Sequence, residues 1–219
     1  SVQNSKETFA LYLPKKFDKN EASSIVFIFE PGARGKAGIQ PFLEAAERYN
    51  YILVCSNNSK KGPFENNRII INRLFEGVFA RFLLNEDRVY TAGFSSGSRL
   101  AVTAAVLSKK IAGVIACGAG FSSYILHKPM IREDFSYVGL IGKQDMNYQE
   151  MLSAQDWLDG LQIDNELFIN DDGHSWPSSG QISKAFDWLE LEAIRKNQKP
   201  INYFDINKIY KRFYDEARA

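Results

Sequence analysis

Three residues of this chain have the types and the order needed for nucleophilic catalysis. Ser95 lies in Gly93-Phe94-Ser95-Ser96-Gly97, Asp145 follows Gly142-Lys143-Gln144, and His174 lies in Asp172-Gly173-His174-Ser175-Trp176-Pro177. A serine hydroxyl is barely ionised at neutral pH and needs a base. Histidine can take its proton, and a carboxylate can fix the imidazole tautomer and steady the imidazolium. His174 is one of only 2 histidines. The other, His127, falls in an irregular stretch. Asp171 and Asp172 are rivals to Asp145, but they sit too near His174 in the chain for easy side-chain approach. The five-residue glycine–serine pattern is weak alone and gains weight from its context. Arg88–Ala92 reads as a strand and Ser96 to about Ser108 as an alanine-rich helix, so Ser95 would top a sharp strand-to-helix turn. The helix start would offer the Ser96 backbone N–H, and a positive dipole end, to a developing oxyanion.

These residues need a frame. Ser24–Phe29 is a continuous apolar run, as expected of a strand buried on both faces. Thr8–Leu13, Tyr51–Cys55, Ile111–Cys117, Tyr137–Ile141 and Glu166–Ile169 also read as strands, the first near an edge because Pro14 stops it. Helical spacing appears over Ile39–Asn50, Arg68–Leu84, Tyr148–Leu161 and Gly180–Ile194. Alternating strands and helices predict an α/β domain: a mostly parallel sheet with helices on both faces. In such sheets function gathers outside the carboxyl ends of the strands. Four of those ends carry unusual chemistry: the Glu30-Pro31-Gly32-Ala33-Arg34-Gly35 loop, Ser95, Asp145 and His174. Glu30 reads either as a plain strand-end carboxylate or as a group orienting its loop. Arg34 reads as a solvated charge or a substrate clamp. Phe94, Phe121, Tyr124, Tyr148 and Trp176 are either pocket walls or core.

The 219 residues suit one domain, and 45% hydrophobic content is enough for a sizeable core. The 27 basic and 26 acidic residues leave +1, which gives no footing for a nucleic-acid or anionic-membrane partner. No apolar run reaches membrane-span length. Cys55 and Cys117, at the ends of two separate strands, read as free core thiols, and no ligand spacing suggests a metal. A start at Ser1 fits a processed or trimmed chain. After the polar break Lys196–Pro200, the stripe Tyr203, Phe204, Ile206, Ile209, Tyr210, Phe213 and Tyr214 predicts a helix. It is either docked on the domain, or the start of a further domain or a dimer contact.

The motifs GFSSG, GKQD and DGHSWP resemble those of the α/β-hydrolase superfamily. RVYTAGFSSG, GHSWP and the opening TFALYLP resemble its polyhydroxybutyrate-depolymerase and feruloyl-esterase-like branch, over roughly Thr8 to Ile194. With the polar break after Arg195, the expected organisation is an α/β-hydrolase domain over 1–197 and a helical extension over 198–219. The resemblance implies Ser95, Asp145 and His174 as nucleophile, acid and base, no cofactor, and a small-molecule or carbohydrate-linked carboxylic ester as substrate. The rivals are a serine peptidase or thioesterase, and a catalytically silent binding module. Where that branch commonly has a His-Gly oxyanion segment, this chain has Glu30-Pro31. Proline has no N–H, so the second oxyanion donor is expected from Gly32 or Ala33. Ser98 stands where the branch often has another glycine. Phe94, Trp176 and Arg34 are the expected substrate contacts. The segment 119–135 is too short for a closing lid, which predicts an open, shallow site.

Overall fold

A computed structural model describes residues 7–131 and 133–218. Ser1, the first six residues of the expected domain and the final Ala219 lie outside the described residues. Seven strands form one sheet: β1 Phe9–Tyr12, β2 Ser23–Phe29, β3 Tyr51–Ser56, β4 Leu84–Phe94, β5 Gly113–Cys117, β6 Ser136–Gly142 and β7 Asn165–Asn170. Their order across the sheet is β1-β3-β2-β4-β5-β6-β7. Among the described residues only β1 is antiparallel, pairing with β3 from the edge. The strand reversing direction is the one followed most directly by Pro14, which cannot donate to a ladder. Cys55 on β3 and Cys117 on β5 are separated by β2 and β4, and both are buried and free. Burial pushes the Cys55 thiol up to about 12 and raises Cys117 as well, so neither offers a thiolate nucleophile.

The helices are α1 Gly35–Ile39, α2 Leu43–Tyr49, α3 Phe64–Phe79, α4 Ser96–Ser108, α5 Tyr148–Gly160, α6 Ser179–Arg195 and α7 Tyr203–Ala217. One face of the sheet buries Phe27, Ile52 and Val114 against Ile71 and Val78 of α3 and Ala101 and Ala105 of α4. The other buries Val26, Leu53 and Ile115 against Ala45 of α2 and Ile182 and Phe186 of α6. A side chain on alternate strand positions therefore meets a different helix layer, and both layers must be apolar.

Two helix boundaries depart from their sequence reading. The helix expected from Ile39 begins at Gly35 and is split by a 3₁₀ turn over Gln40–Phe42. Pro41 lies in that turn; lacking an N–H, it cannot continue an α-helical ladder. The helix expected over Arg68–Leu84 runs over Phe64–Phe79 instead. It starts directly after Pro63, and Leu84 leaves it to pair with Ser23 at the start of β4.

The terminal helix α7 is capped by Asn202, whose side chain accepts from Phe204 and Asp205 N–H. It lies on the domain. Ile209 is buried, Arg212 Nε donates to Asp187 Oδ2 at 2.6 Å, and Phe213 stacks on Phe168 of β7. Tyr203, Phe204 and Tyr210 remain exposed.

Under the α6 layer lies a buried charge cluster. Glu190 is 1% exposed and Arg88 4% exposed, and they are ion-paired. Tyr51 Oη donates to Glu190 at 2.7 Å, and Lys199 Nζ reaches its other oxygen at 2.5 Å. Removing one partner of a buried pair leaves the other uncompensated, at a cost of about 3–5 kcal/mol. Glu190→Ala should therefore lower unfolding stability by about that amount in urea titration, whereas Glu65→Ala, at an exposed helix start, should stay within about 0.5 kcal/mol.

Candidate active site

The centre of the site is the turn between β4 and α4. Ser95 has φ 53° and ψ −119°, outside the regions an L-residue ordinarily occupies. Such a turn closes only if its flanks are bare. A Cβ on Gly97 would lie 2.0 Å from Phe29 O, and one on Gly93 would lie 2.2 Å from Gly97 O. The turn is also fastened sideways, with Ser95 N–H donating to Cys117 O at 2.8 Å. Ser98, which departs from the glycine of similar sequences, has a use here. Its buried hydroxyl donates to Ala119 O at 2.6 Å and ties α4 to the segment after β5.

The structure brings the three singled-out side chains into one chain of hydrogen bonds. His174 Nε2 is 3.0 Å from Ser95 Oγ, and His174 Nδ1 is 2.8 Å from Asp145 Oδ2. A carboxylate only accepts, so Nδ1 carries the proton and Nε2 faces the serine as a base. Asp145 is buried, and its second oxygen accepts from Asn147 N–H at 2.8 Å. Asp171 pairs with Lys143 at 2.8 Å, and Asp172 accepts from Gln181 at 3.0 Å; neither side chain bonds His174.

The loops bearing Asp145 and His174 are joined to each other. Lys143 N–H donates to Asn170 O at 2.8 Å and Gln144 N–H to Asp172 O at 3.1 Å. This approach requires Gly142, where a Cβ would fall 1.9 Å from Asp172 O. Beyond His174 the loop ends in a capping box. Ser178 accepts from Gln181 N–H while the Gln181 side chain accepts from Ser178 N–H. Behind the imidazole, the Phe94 ring lies 4.7 Å from His174 and 5.3 Å from Trp176, and Trp176 meets the buried Phe42 at 5.9 Å.

One expectation needs correction. Gly32 and Ala33 were to supply an oxyanion donor, yet both N–H groups are already used. Gly32 N–H and Arg34 N–H donate to Glu30 Oε2, each at 2.8 Å, and Ala33 N–H donates to Glu30 O at 3.0 Å. Pro31 has no N–H, so the loop has no open donor from Pro31 to Arg34. Glu30 is 1% exposed. Burial works to raise its pKa, but bonds from Arg34 and from the two N–H groups outweigh it and hold the carboxyl below its usual range. Glu30 is thus the residue that organises this loop. Arg34 bonds Glu30 through Nη2 at 2.5 Å and otherwise faces solvent. Phe94 packs on the His174 ring, and Trp176 packs on Phe94.

A cleft of about 550 Å³ opens beside Ser96 and Gly97. Its apolar wall comes from Leu100 of α4, Phe64 at the start of α3, and Tyr124. His127 lies there too, 4.5 Å from the Phe64 ring and 5.5 Å from that of Tyr124. Phe64 carries no signal of this role in the sequence, because by composition it sits in a polar loop. Ser96 N–H, at the helix start, has no acceptor among the described residues, as expected of a first-turn donor.

No family model and no curated protein sequence matches the chain. Solved structures do. A ferulic acid esterase aligns with TM-score 0.72 at 13% identity, covering 86% of this chain and 93% of that one. An esterase named PE8 aligns at 0.70 and 15% identity, covering 85% and 99%. An S-formylglutathione hydrolase of Staphylococcus aureus aligns at 0.67 and 15% identity, covering 84% and 90%. This chain has the α/β-hydrolase fold. Within that α/β-hydrolase frame, Ser95, Asp145 and His174 occupy the ends of β4, β6 and β7.

The assignment of the acid is open to a direct check. Asp145→Asn should lower kcat by about 10³–10⁴-fold with the fold intact by circular dichroism, because an amide no longer fixes the tautomer. Asp172→Asn should leave kcat within a factor of about three. Equal effects of the two substitutions would remove Asp145 from this role.

Proposed function

We propose that the chain is a serine esterase, cleaving carboxylic esters through an acyl-enzyme. The observation that carries this reading is the bonded series Ser95–His174–Asp145 at a strained strand-to-helix turn. In acylation His174 Nε2 takes the hydroxyl proton as Ser95 Oγ attacks the ester carbonyl. The oxyanion forms against Ser96 N–H and the positive end of α4. His174 then gives its proton to the alcohol oxygen as the C–O bond breaks. Water repeats the sequence on the acyl-enzyme, releasing the acid and restoring Ser95. The structural neighbours, two esterases and an S-formylglutathione hydrolase, support an acyl-transfer reaction. The carbohydrate-linked ester remains a proposal resting on the sequence resemblance.

A fluorophosphonate probe should label Ser95, located by mass spectrometry, and Ser95→Ala should abolish the labelling. Turnover of aryl esters should fall by about 10³-fold or more in that variant. Full turnover in folded Ser95→Ala protein would defeat the reading. A panel of matched oxygen esters, thioesters and amides separates esterase from thioesterase and peptidase.

Among its described residues, the segment 119–135 adds only a 3₁₀ turn over Ile125–His127. It forms a rim and not a cover. Aryl esters should therefore be cleaved faster as acetate than as palmitate, with no rise in rate where the long esters form micelles.

A further inference from the structure

The cleft beside Ser96 has an unbalanced charge. Of the charged side chains on its walls, most are matched. Glu30 pairs with Arg34, Glu65 with Arg68 at 3.0 Å, and Arg99 with Glu150 at 2.5 Å. Lys60 and Lys61, also on the wall, have no carboxylate partner among the described residues. Their backbones are pinned. Asn67, 5% exposed, accepts from Lys60 N–H at 3.2 Å and donates to Lys60 O at 2.9 Å. Lys61 N–H donates to Pro31 O at 2.9 Å, which joins the lysine loop to the Glu30 loop. Two helices of more than three turns, α3 and α4, begin on this cleft at Phe64 and Ser96. Both therefore direct the positive ends of their dipoles to it. The adjoining Ser59 is 1% exposed, and its hydroxyl has no hydrogen-bond partner.

We propose that this cleft selects esters carrying a carboxylate remote from the scissile bond. The carboxylate sits between Lys60 and Lys61, and the apolar linker lies on Phe64 and Leu100. Where turnover is concerned, the proposal rests on the serine esterase reading. Its selectivity is a matter of binding and can be measured without catalysis. Lysine side chains at an open rim are partly screened, so the preference should be modest, about tenfold, and should fade as salt rises.

The test uses two matched pairs. Mono(4-nitrophenyl) adipate against 4-nitrophenyl hexanoate places the charge on the acyl side. 4-Acetoxybenzoate against phenyl acetate places it on the alcohol side. In one pair the anionic member should have a kcat/KM about tenfold higher at low salt. That ratio should fall toward one in the double variant Lys60→Ala, Lys61→Ala, and below one in Lys60→Glu, Lys61→Glu. Calorimetry of the same intact esters with Ser95→Ala protein should show the same order of affinity. Ratios at or below one in both pairs, or a ratio that survives the double reversal to glutamate, would overturn the proposal. Absence of turnover and of fluorophosphonate labelling, with the anionic ester still bound more tightly by Ser95→Ala protein, would overturn the esterase reading and leave the selectivity standing. Equal binding of the charged and neutral esters would overturn the selectivity alone.

Discussion

Everything at this site depends on two peptide backbones touching where side chains would normally stand. Gly97 lies on Phe29 O, and Gly93 lies on the carbonyl of Gly97. Because α4 can approach the end of β2 so closely, the chain turns within one residue, and Ser95 takes a backbone conformation that is costly elsewhere. The sheet holds that conformation in place: β2 and β4 are neighbours in parallel register, with Phe29 opposite Gly93. The energy of the turn is therefore drawn from the packing of two buried strands and a helix rich in alanine. Small residues are needed on α4 for the same reason that glycine is needed beside the serine.

Base and acid follow a different logic. Neither is strained. Their precision comes from the joining of two loops, which fixes the distance between the ends of β6 and β7 before the side chains are considered. The imidazole is then held on three sides. Asp145 bonds one edge, Ser95 meets the other, and Phe94 with Trp176 covers a face. An imidazole so confined loses little freedom when a substrate arrives.

The order of strands and helices was legible because strands buried on both faces are unbroken apolar runs and the helices between them are amphipathic. Ser95, Asp145 and His174 were legible because glycine, strand end and polar loop coincide at each. Helix starts at Gly35 and Phe64 were not, since each begins in residues that read as a polar, glycine- or proline-marked loop. The oxyanion loop misled for a physical reason. Absence of a proline N–H can be read from a sequence, but occupation of the next three N–H groups by the carboxylate and the backbone carbonyl of Glu30 cannot. Nor does sequence spacing reveal that Phe64 and His127 meet, because the segments bearing them lie far apart in the chain.

Apart from the start of α4, which follows Ser95 and adds Ser96, Gly97 and Leu100, the walls of the cleft and the reacting residues come from different connections. The segments 57–67 and 121–131, which shape the cleft, contain none of Ser95, Asp145 or His174, and the loops that carry those three are bonded mainly to one another and to the sheet. Heritable change in what the cleft accepts can thus accumulate without disturbing proton transfer. In a lineage of such proteins, binding preference and reaction chemistry can diverge at independent rates, with the first set by two short surface segments and the second by the geometry of the strand ends.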